Sequence, residues 1–329
     1  MAGLILAGDV GGTKTELGLY QVAAGGALQL VRAHRYSTLQ FKSLEETCVD
    51  FIAGSVRVDA ACLGVPGPII DGSAQATNVP WILSEAKLSV ALGGTPVRLI
   101  NDLAATAFGV MHLQSTEVAV LHPAENPAAH GNVAVIAAGT GLGESALVYE
   151  NGGYYAVASE GGHTDFAPRG EEQIELLRDL ERQFGHVSYE RVLSGPGLVN
   201  IYRFLRRRSG TAEPAWLTAQ IAAGDHAAAV SDAALNKTDP VCVHALEVFC
   251  DIYGAEAANL ALKMLAFGGV FLAGGIAPKI LPILTQGGFV KAFLSKGRLN
   301  EILRRMEVRV ALNPAAALIG ATHRAAAML

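Results

Sequence analysis

The sequence predicts an α/β protein built from two related lobes. Three observations carry that prediction. Residues 8 to 20, GDVGGTKTELGLY, and residues 137 to 149, AAGTGLGESALVY, share one order of apolar run, glycine turn and alternating run, 129 positions apart. Each half places short hairpin-like stretches first and helical stretches afterwards, unlike the strict β-α alternation of a barrel. A chain of 329 residues is also long for one core and suits two domains of ordinary size.

The elements follow in order. Strands are predicted at 4 to 8, 13 to 20, 28 to 36, 60 to 65, 97 to 100, 133 to 137 and 145 to 149, each short, apolar or alternating and bounded by Gly or Pro. Helices are predicted at 42 to 55 and 102 to 112. A third covers 171 to 184, where Ile174, Leu177, Leu180 and Phe184 precede Gly185, and a fourth spans roughly 240 to 266 through Leu246, Phe249, Tyr253, Leu260 and Met264. The Ala-rich tail NPAAALIGATHRAAAML reads as a last helix.

Composition narrows the class. A 51% hydrophobic, 17% charged chain is globular rather than disordered. The opening MAGLILAGDV carries no basic stretch before its apolar run, so it reads as a first strand and not as a signal peptide. The run MLAFGGVFLAGG is broken by glycine and falls short of the ~20 apolar residues a membrane span needs, which points to a soluble, cytoplasmic protein. Cys48, Cys62, Cys242 and Cys250 form no CxxC pair, which suits a reducing compartment and argues against cysteine-bound metal. A net charge of -5, with RFLRRRSG the one basic run and read as a solvated helix end, argues against nucleic acid as a partner.

Three chemistries compete for the glycine windows. A Walker A loop requires Lys directly after Gly, but Thr13 separates Gly12 from Lys14. A dinucleotide fingerprint must open a helix, whereas GTGLG at 139 to 143 runs into the strand-like ESALVY. The third is a hairpin turn whose bare N–H groups face phosphate oxygens. A plain structural hairpin is the alternative for one loop alone, and two loops in equivalent positions favour the phosphate role.

Here the residues resemble a family. DVGGTKTELGLY is similar to the first phosphate loop of the actin-like ATPase and sugar-kinase superfold, AAGTGLGES to its second, and FLAGGIAPKI (271 to 280) to its adenosine segment. LGVPGPI, TNVPW, LINDLAATAFGV, SEGGHTDFAP, HVSYERVLSGPGLVNIY and LAGGIAPKI occur in the order seen in bacterial glucokinases, from residue 5 to about 320. The resemblance implies two ribonuclease-H-like lobes with mixed β-sheets flanked by helices. One is a small lobe of 1–112 plus 312–329, with the tail helix packed back onto it. The other is a large lobe of 113–311. It implies ATP-dependent transfer to the 6-hydroxyl of glucose at the entry to glycolysis, lobe closure on the sugar, and a homodimer.

Residue by residue, an apolar strand runs into Asn101 and Asp102 before a helical pattern begins. Asp102 could serve only as the helix N-cap. A carboxylate at the carboxyl end of a strand can also accept a hydroxyl proton during phosphoryl transfer, and the resemblance implies that base role, with Asn101 on a neighbouring hydroxyl. Glu160, His163 and Glu190 suit vicinal sugar hydroxyls, although a lone Glu is commonly solvated and a lone His commonly structural. The resemblance places these three around the 1- to 3-hydroxyls and adds Asn78 from TNVPW.

One departure separates the chain from the sister repressor and open-reading-frame kinase family. There the His of an ExGH motif binds zinc together with a cysteine-rich motif. Here TDFAPRGEEQIELL follows His163 without cysteine, so no zinc is expected. On the nucleotide side, Gly11, Gly12, Thr13 and Lys14 are implied at the β- and γ-phosphates from one lobe, and Gly139, Thr140 and Gly141 from the other. Lys14 reads equally as a solvated hairpin residue. Asp9 is implied beside Mg²⁺ through water, and Gly274 and Gly275 let backbone approach the adenosine. Two alternatives remain: a kinase for another hexose or amino sugar, and, in a different class, an actin-like filament or chaperone ATPase.

Overall fold

The structure is a computed structural model that describes residues 3–53, 57–75, 79 and 81–329, so Asn78 lies outside the described residues. The chain divides into two compact units. One comprises Met1–Gln114, Ala156–Ala158 and Asn313–Leu329, the other Ser115–Tyr155 and Ser159–Leu312.

In the first unit, strands β1 (Gly3–Val10), β2 (Lys14–Val22), β3 (Leu28–Ser37), β4 (Ala60–Val65) and β8 (Val97–Asn101) form a sheet in the order β3-β2-β1-β4-β8. β1, β2 and β3 pair antiparallel, whereas β4 and β8 run parallel to β1. Parallel strands need both faces covered, and β1 is apolar on both. One face buries Leu6 with Leu17, Phe51 and Leu63. The other buries Ile5 and Ala7 with Cys62, Leu318 and Ala321. The second cover is the tail helix Ala316–Ala326, which also crosses helix Asp102–Val110 at backbone distance. A Cβ on Gly109 would lie 1.8 Å from the Ala316 carbonyl oxygen, and one on Gly320 would lie 1.8 Å from that of Ala105. The tail helix thus covers one face of the β1–β4 region of this sheet. Strands β5 (Ile69–Ile70), β6 (Ser73–Gln75) and β7 (Ile82–Ser84) make a small separate sheet that the sequence did not announce, because two or three residues are too few to show a period of two.

The second unit repeats the plan. Strands β9 (Val118–His122), β10 (Val133–Ala138), β11 (Leu142–Glu150), β12 (Gly153–Ala158), β13 (Gly269–Ala273) and β14 (Val308–Ala311) lie in the order β12-β11-β10-β13-β14-β9. β10 and β11 form the antiparallel hairpin, β13 and β14 continue parallel to β10, and β9 closes the edge antiparallel. An antiparallel hairpin followed by two parallel strands is thus built twice. Fully buried Phe249 and Tyr253 on helix Pro240–Met264 anchor the core behind this sheet. That helix starts cleanly because the Asp239 carboxylate accepts the N–H groups of Val241 and Cys242 and Pro240 fills the first turn.

The basic run is a helix end with Arg203, Arg207 and Arg208 exposed, and needs a correction at Arg206 alone. It forms the last turn of helix Gly195–Ser209, where Arg207 and Arg208 meet Asp179 and Glu172 near the surface. Arg206 is instead only partly exposed, 2.6 Å from buried Asp239, because a cap carboxylate taken out of water needs a cation.

Candidate active site

The first unit gathers its polar groups at the carboxyl end of three parallel strands. Asp9 on β1 lies opposite Gly64 on β4, and Val65 lies opposite Asn101 at the end of β8. Gly64 lets these ends meet, since a Cβ there would stand 3.1 Å from Ala105 Cβ and 3.8 Å from Asp102 Cα. Asp102 opens helix Asp102–Val110, but it is not the N-cap. Asn101 takes that role, its Oδ1 accepting from the N–H groups of Leu103 and Ala104 at 3.0 and 3.2 Å while its Nδ2 donates to Gly67 O. Backbone geometry puts the cap at Asn101, which leaves Asp102 at the first helical position, where the helix dipole favours a carboxylate. Asp102 Oδ1 also accepts the Leu103 N–H at 2.8 Å.

The Gly11–Lys14 turn is closed by a Gly11 N–H to Lys14 O bond of 2.9 Å. Thr38 clamps it from outside. The Thr38 hydroxyl donates to Gly11 O at 2.7 Å, its N–H donates to Thr13 O, and its Oγ1 lies 3.1 Å from buried Thr15 Oγ1. Thr13 and Lys14 face solvent at the tip. Asp9 is largely buried behind the turn. Burial first, and the Glu16 charge second, hold its carboxyl above the ordinary carboxylate range, against smaller pulls from Lys14 and Arg35.

In the second unit the Gly139–Gly141 turn is tighter, with Gly139 N–H bonded to Gly141 O at 2.9 Å. The Gly195 N–H donates to Gly139 O at 2.8 Å. Gly274, at φ 79°, presses against the turn's root, where a Cβ would come within 2.5 Å of Ala138 O. Gly274 and Gly275 thus occupy the turn after β13, directly beside the glycine loop. A cavity of about 1100 Å³ opens there, lined by Gly139, Thr140, Gly195, Asp225, His226, Gly275 and Lys279, among others.

Glu160 precedes the 3₁₀ turn Gly161–His163 and His163 ends it, and both are exposed. This segment is paired with the one carrying Glu190: Tyr189 N–H donates to Thr164 O and Phe166 N–H to Val187 O. Glu190 Oε2 then accepts the Leu142 N–H at 3.0 Å, at the exit of the glycine loop, and leaves no room for a Cβ on Gly141. One unit thereby brings Glu160, His163, Glu190 and the second glycine loop into a single cluster. Asp9, Gly11, Gly12, Thr13, Lys14, Asn101 and Asp102 gather in the other. Among the described residues no group of three or more His, Cys, Asp or Glu is arranged to hold a metal ion.

Sequence reasoning missed Thr15 and Thr38, which brace the first loop, and the cavity wall formed by Gly224, Asp225 and helix His226–Leu235, together with helix Ala215–Ala223 before it in the chain. Pro214 and the capping Asp225, which accepts from Ala227 and Ala228, were the available signals for those two helices.

Comparison with known proteins decides the family. The glucokinase family model matches residues 6–328. The chain belongs to the glucokinase family. A glucokinase of Nostoc punctiforme is 40% identical, covering 98% of this chain and 99% of its own length. One from Synechocystis is also 40% identical, over 98% and 97%. Among solved structures, a glucokinase from an Antarctic psychrotroph superposes with a TM-score of 0.85 at 31% identity, covering 98% of both chains. A glucokinase from Balamuthia mandrillaris, solved in complex with glucose, shares the fold at a TM-score of 0.79 and 22% identity, over 98% of this chain and 94% of its own. The fold is therefore that of the actin-like sugar kinases, and the chain is a glucose-phosphorylating enzyme with ATP as donor. No helix among the described residues is long and apolar enough to cross a membrane.

Proposed function

We propose that the protein transfers the γ-phosphoryl group of ATP to the 6-hydroxyl of glucose with Asp102 as the general base. In this reading the Asp102 carboxylate takes the hydroxyl proton as the oxygen attacks phosphorus. Asn101 and Asn78 hold neighbouring hydroxyls, and Glu160, His163 and Glu190 hold the far side of the ring. An epimer that cannot pair with these groups once the site is closed is penalised by the group left unmatched. The Gly11–Lys14 and Gly139–Gly141 turns offer backbone N–H groups to the phosphates, and the cavity beside Gly275 accommodates the adenosine. Asp9 suits Mg²⁺ held through water, because a cation beside it would offset both the burial and the Glu16 charge that raise its carboxyl. The metal supplies charge neutralisation on the phosphates. The two compact units serve as lobes that close over the sugar and exclude competing water, in a cytoplasmic homodimer.

The observation that carries this reading is the Leu142–Glu190 hydrogen bond, which joins the sugar-side segment to a phosphate-side loop within one unit. A panel of glucose, mannose, fructose and glucosamine with ATP in a coupled assay tests it. The expected result is ATP consumption that rises sharply with glucose and is low without sugar. Sugar-independent hydrolysis, or an equal response to every hexose, contradicts it.

A further inference from the structure

Beneath the Glu160–His163 turn lie two carboxyls that the reaction does not use. Glu144 on β11 is 2% exposed and Glu256 on helix Pro240–Met264 is fully buried. One oxygen of each, Glu144 Oε1 and Glu256 Oε1, is buried without a hydrogen-bond partner. Two carboxylates in mutual reach and out of water do not both ionise, and a proton between them supplies the bond that both oxygens lack. Burial first, and the Glu256 charge second, push the Glu144 carboxyl up to about 8.

The surroundings tie this pair to both sides of the sugar cluster. A Cβ on Gly161 would fall 2.1 Å from Glu144 Oε2, so the turn rests directly on that carboxyl. Gly162 presses in the same way on the Leu142 carbonyl, two residues before Glu144. Glu256 Oε2 accepts from Asn259 Nδ2 at 2.7 Å, and the same amide donates to the phenol of Tyr189, the residue before Glu190. Lys263 Nζ stands 3.8 Å from Glu256, and its charge also pulls the Glu144 carboxyl down, while Lys296 reaches the Asn259 amide oxygen. The remaining titratable neighbours are the Tyr189 phenol, which burial and then the Glu256 charge and hydrogen bond push up, Tyr253, bonded to Ile136 O, and Arg169 beside Lys296.

We propose that the Glu144–Glu256 pair, sharing one proton, is a positioning element that sets the Glu160–His163 turn and the Tyr189–Glu190 segment at the spacing that accepts glucose. The proposal rests on the reading of Glu160, His163 and Glu190 as sugar groups. Removing the shared proton leaves two buried anions, and their repulsion shifts the turn that rests on Glu144. Neutral Gln keeps the shape and an N–H donor without the charge.

Calorimetric titration of the full-length protein with glucose, without nucleotide, from pH 6 to pH 9 tests this. For the wild type the Kd is flat at low pH and rises by up to about tenfold per pH unit above pH ~8. Glu144→Gln matches the wild type at pH 6 and loses the alkaline rise, whereas Glu144→Ala binds more weakly throughout. A Gln variant that keeps the rise, or a wild type without one, overturns the proposal. Glu160→Gln and Glu190→Gln at pH 6 test the underlying reading separately, since unchanged affinity in both overturns the sugar assignment itself. Thermal unfolding adds a readout independent of sugar. Glu144 is protonated when folded and titrates near its ordinary 4.5 when unfolded, so stability falls as pH rises from 4.5 to about 8. Glu144→Gln removes that loss, and its advantage in Tm should widen across this window. A constant difference counts against the shared proton.

Discussion

The two glycine hairpins are one device braced in two ways. In the first, Val10 pairs with Thr15 and four residues make the turn; in the second, Ala138 pairs with Leu142 and three suffice. Hydroxyls hold the first, through Thr38 on Gly11 and Thr15. The second is held by backbone at Gly195 and Gly274 and by the Glu190 carboxylate on Leu142. If the proposed roles hold, the difference teaches that a phosphate loop can be fixed by groups dedicated to it or by groups that also face the second substrate. In the proposed reading the first hairpin, with Asp9 behind it, belongs to the former kind and the second to the latter.

Changes that separate these roles should differ in size. The largest effect is expected for Asp102→Asn, which keeps an oxygen for the Leu103 N–H but removes the base. Turnover in the coupled assay should fall about 10²- to 10⁴-fold with little change in Tm. Turnover within a few-fold of wild type would remove Asp102 from the role. Gly274→Ala comes next, because a methyl group 2.5 Å from Ala138 O at φ 79° must displace the second loop. The strain is about 1–3 kcal/mol, and the KM for ATP should rise roughly tenfold. An unchanged KM would mean that the loop position does not govern nucleotide binding.

Thr38→Val deletes the hydroxyl clamp on the first loop. At ~1 kcal/mol for each lost bond, the KM for ATP should rise only several-fold. The smallest effect concerns the tail helix. His112 and His323 stack with ring centroids 3.4 Å apart, and burial first and then His112 hold His323 down to about 4. Both rings are then neutral in the folded state, so their contribution is present above pH 6.5 and lost as pH falls through about 4. His323→Phe should flatten the acid decline in Tm across that window, and an unaltered decline would place the acid sensitivity elsewhere.

Much of this comparison was legible in the residues. Glycines that interrupt apolar runs mark both hairpins, and an apolar strand ending in Asn101 and Asp102 marks the helix start. The one-residue difference between the turns was not legible, because aligning the windows at a constant offset of 129 hides a change of loop length. Nor was the division of labour at Asn101 and Asp102, since either residue type caps a helix and backbone geometry chooses between them. The cavity wall at 224 to 235 escaped because its Ala-rich helix lacks a strong apolar stripe. The Glu144–Glu256 pair escaped because a strand and a distant helix meet only in the fold.

The central claim is that the second hairpin is shared between phosphate and sugar while the first serves phosphate alone. Glucose affinity measured by calorimetry in the absence of nucleotide, for Thr38→Val and Gly274→Ala side by side, tests it most directly. The account predicts unchanged glucose affinity in Thr38→Val and weakened affinity in Gly274→Ala, because moving Ala138 carries the Leu142–Glu190 bond with it. Equal losses in both variants, or a Gly274→Ala protein that folds and binds glucose like the wild type, would contradict it.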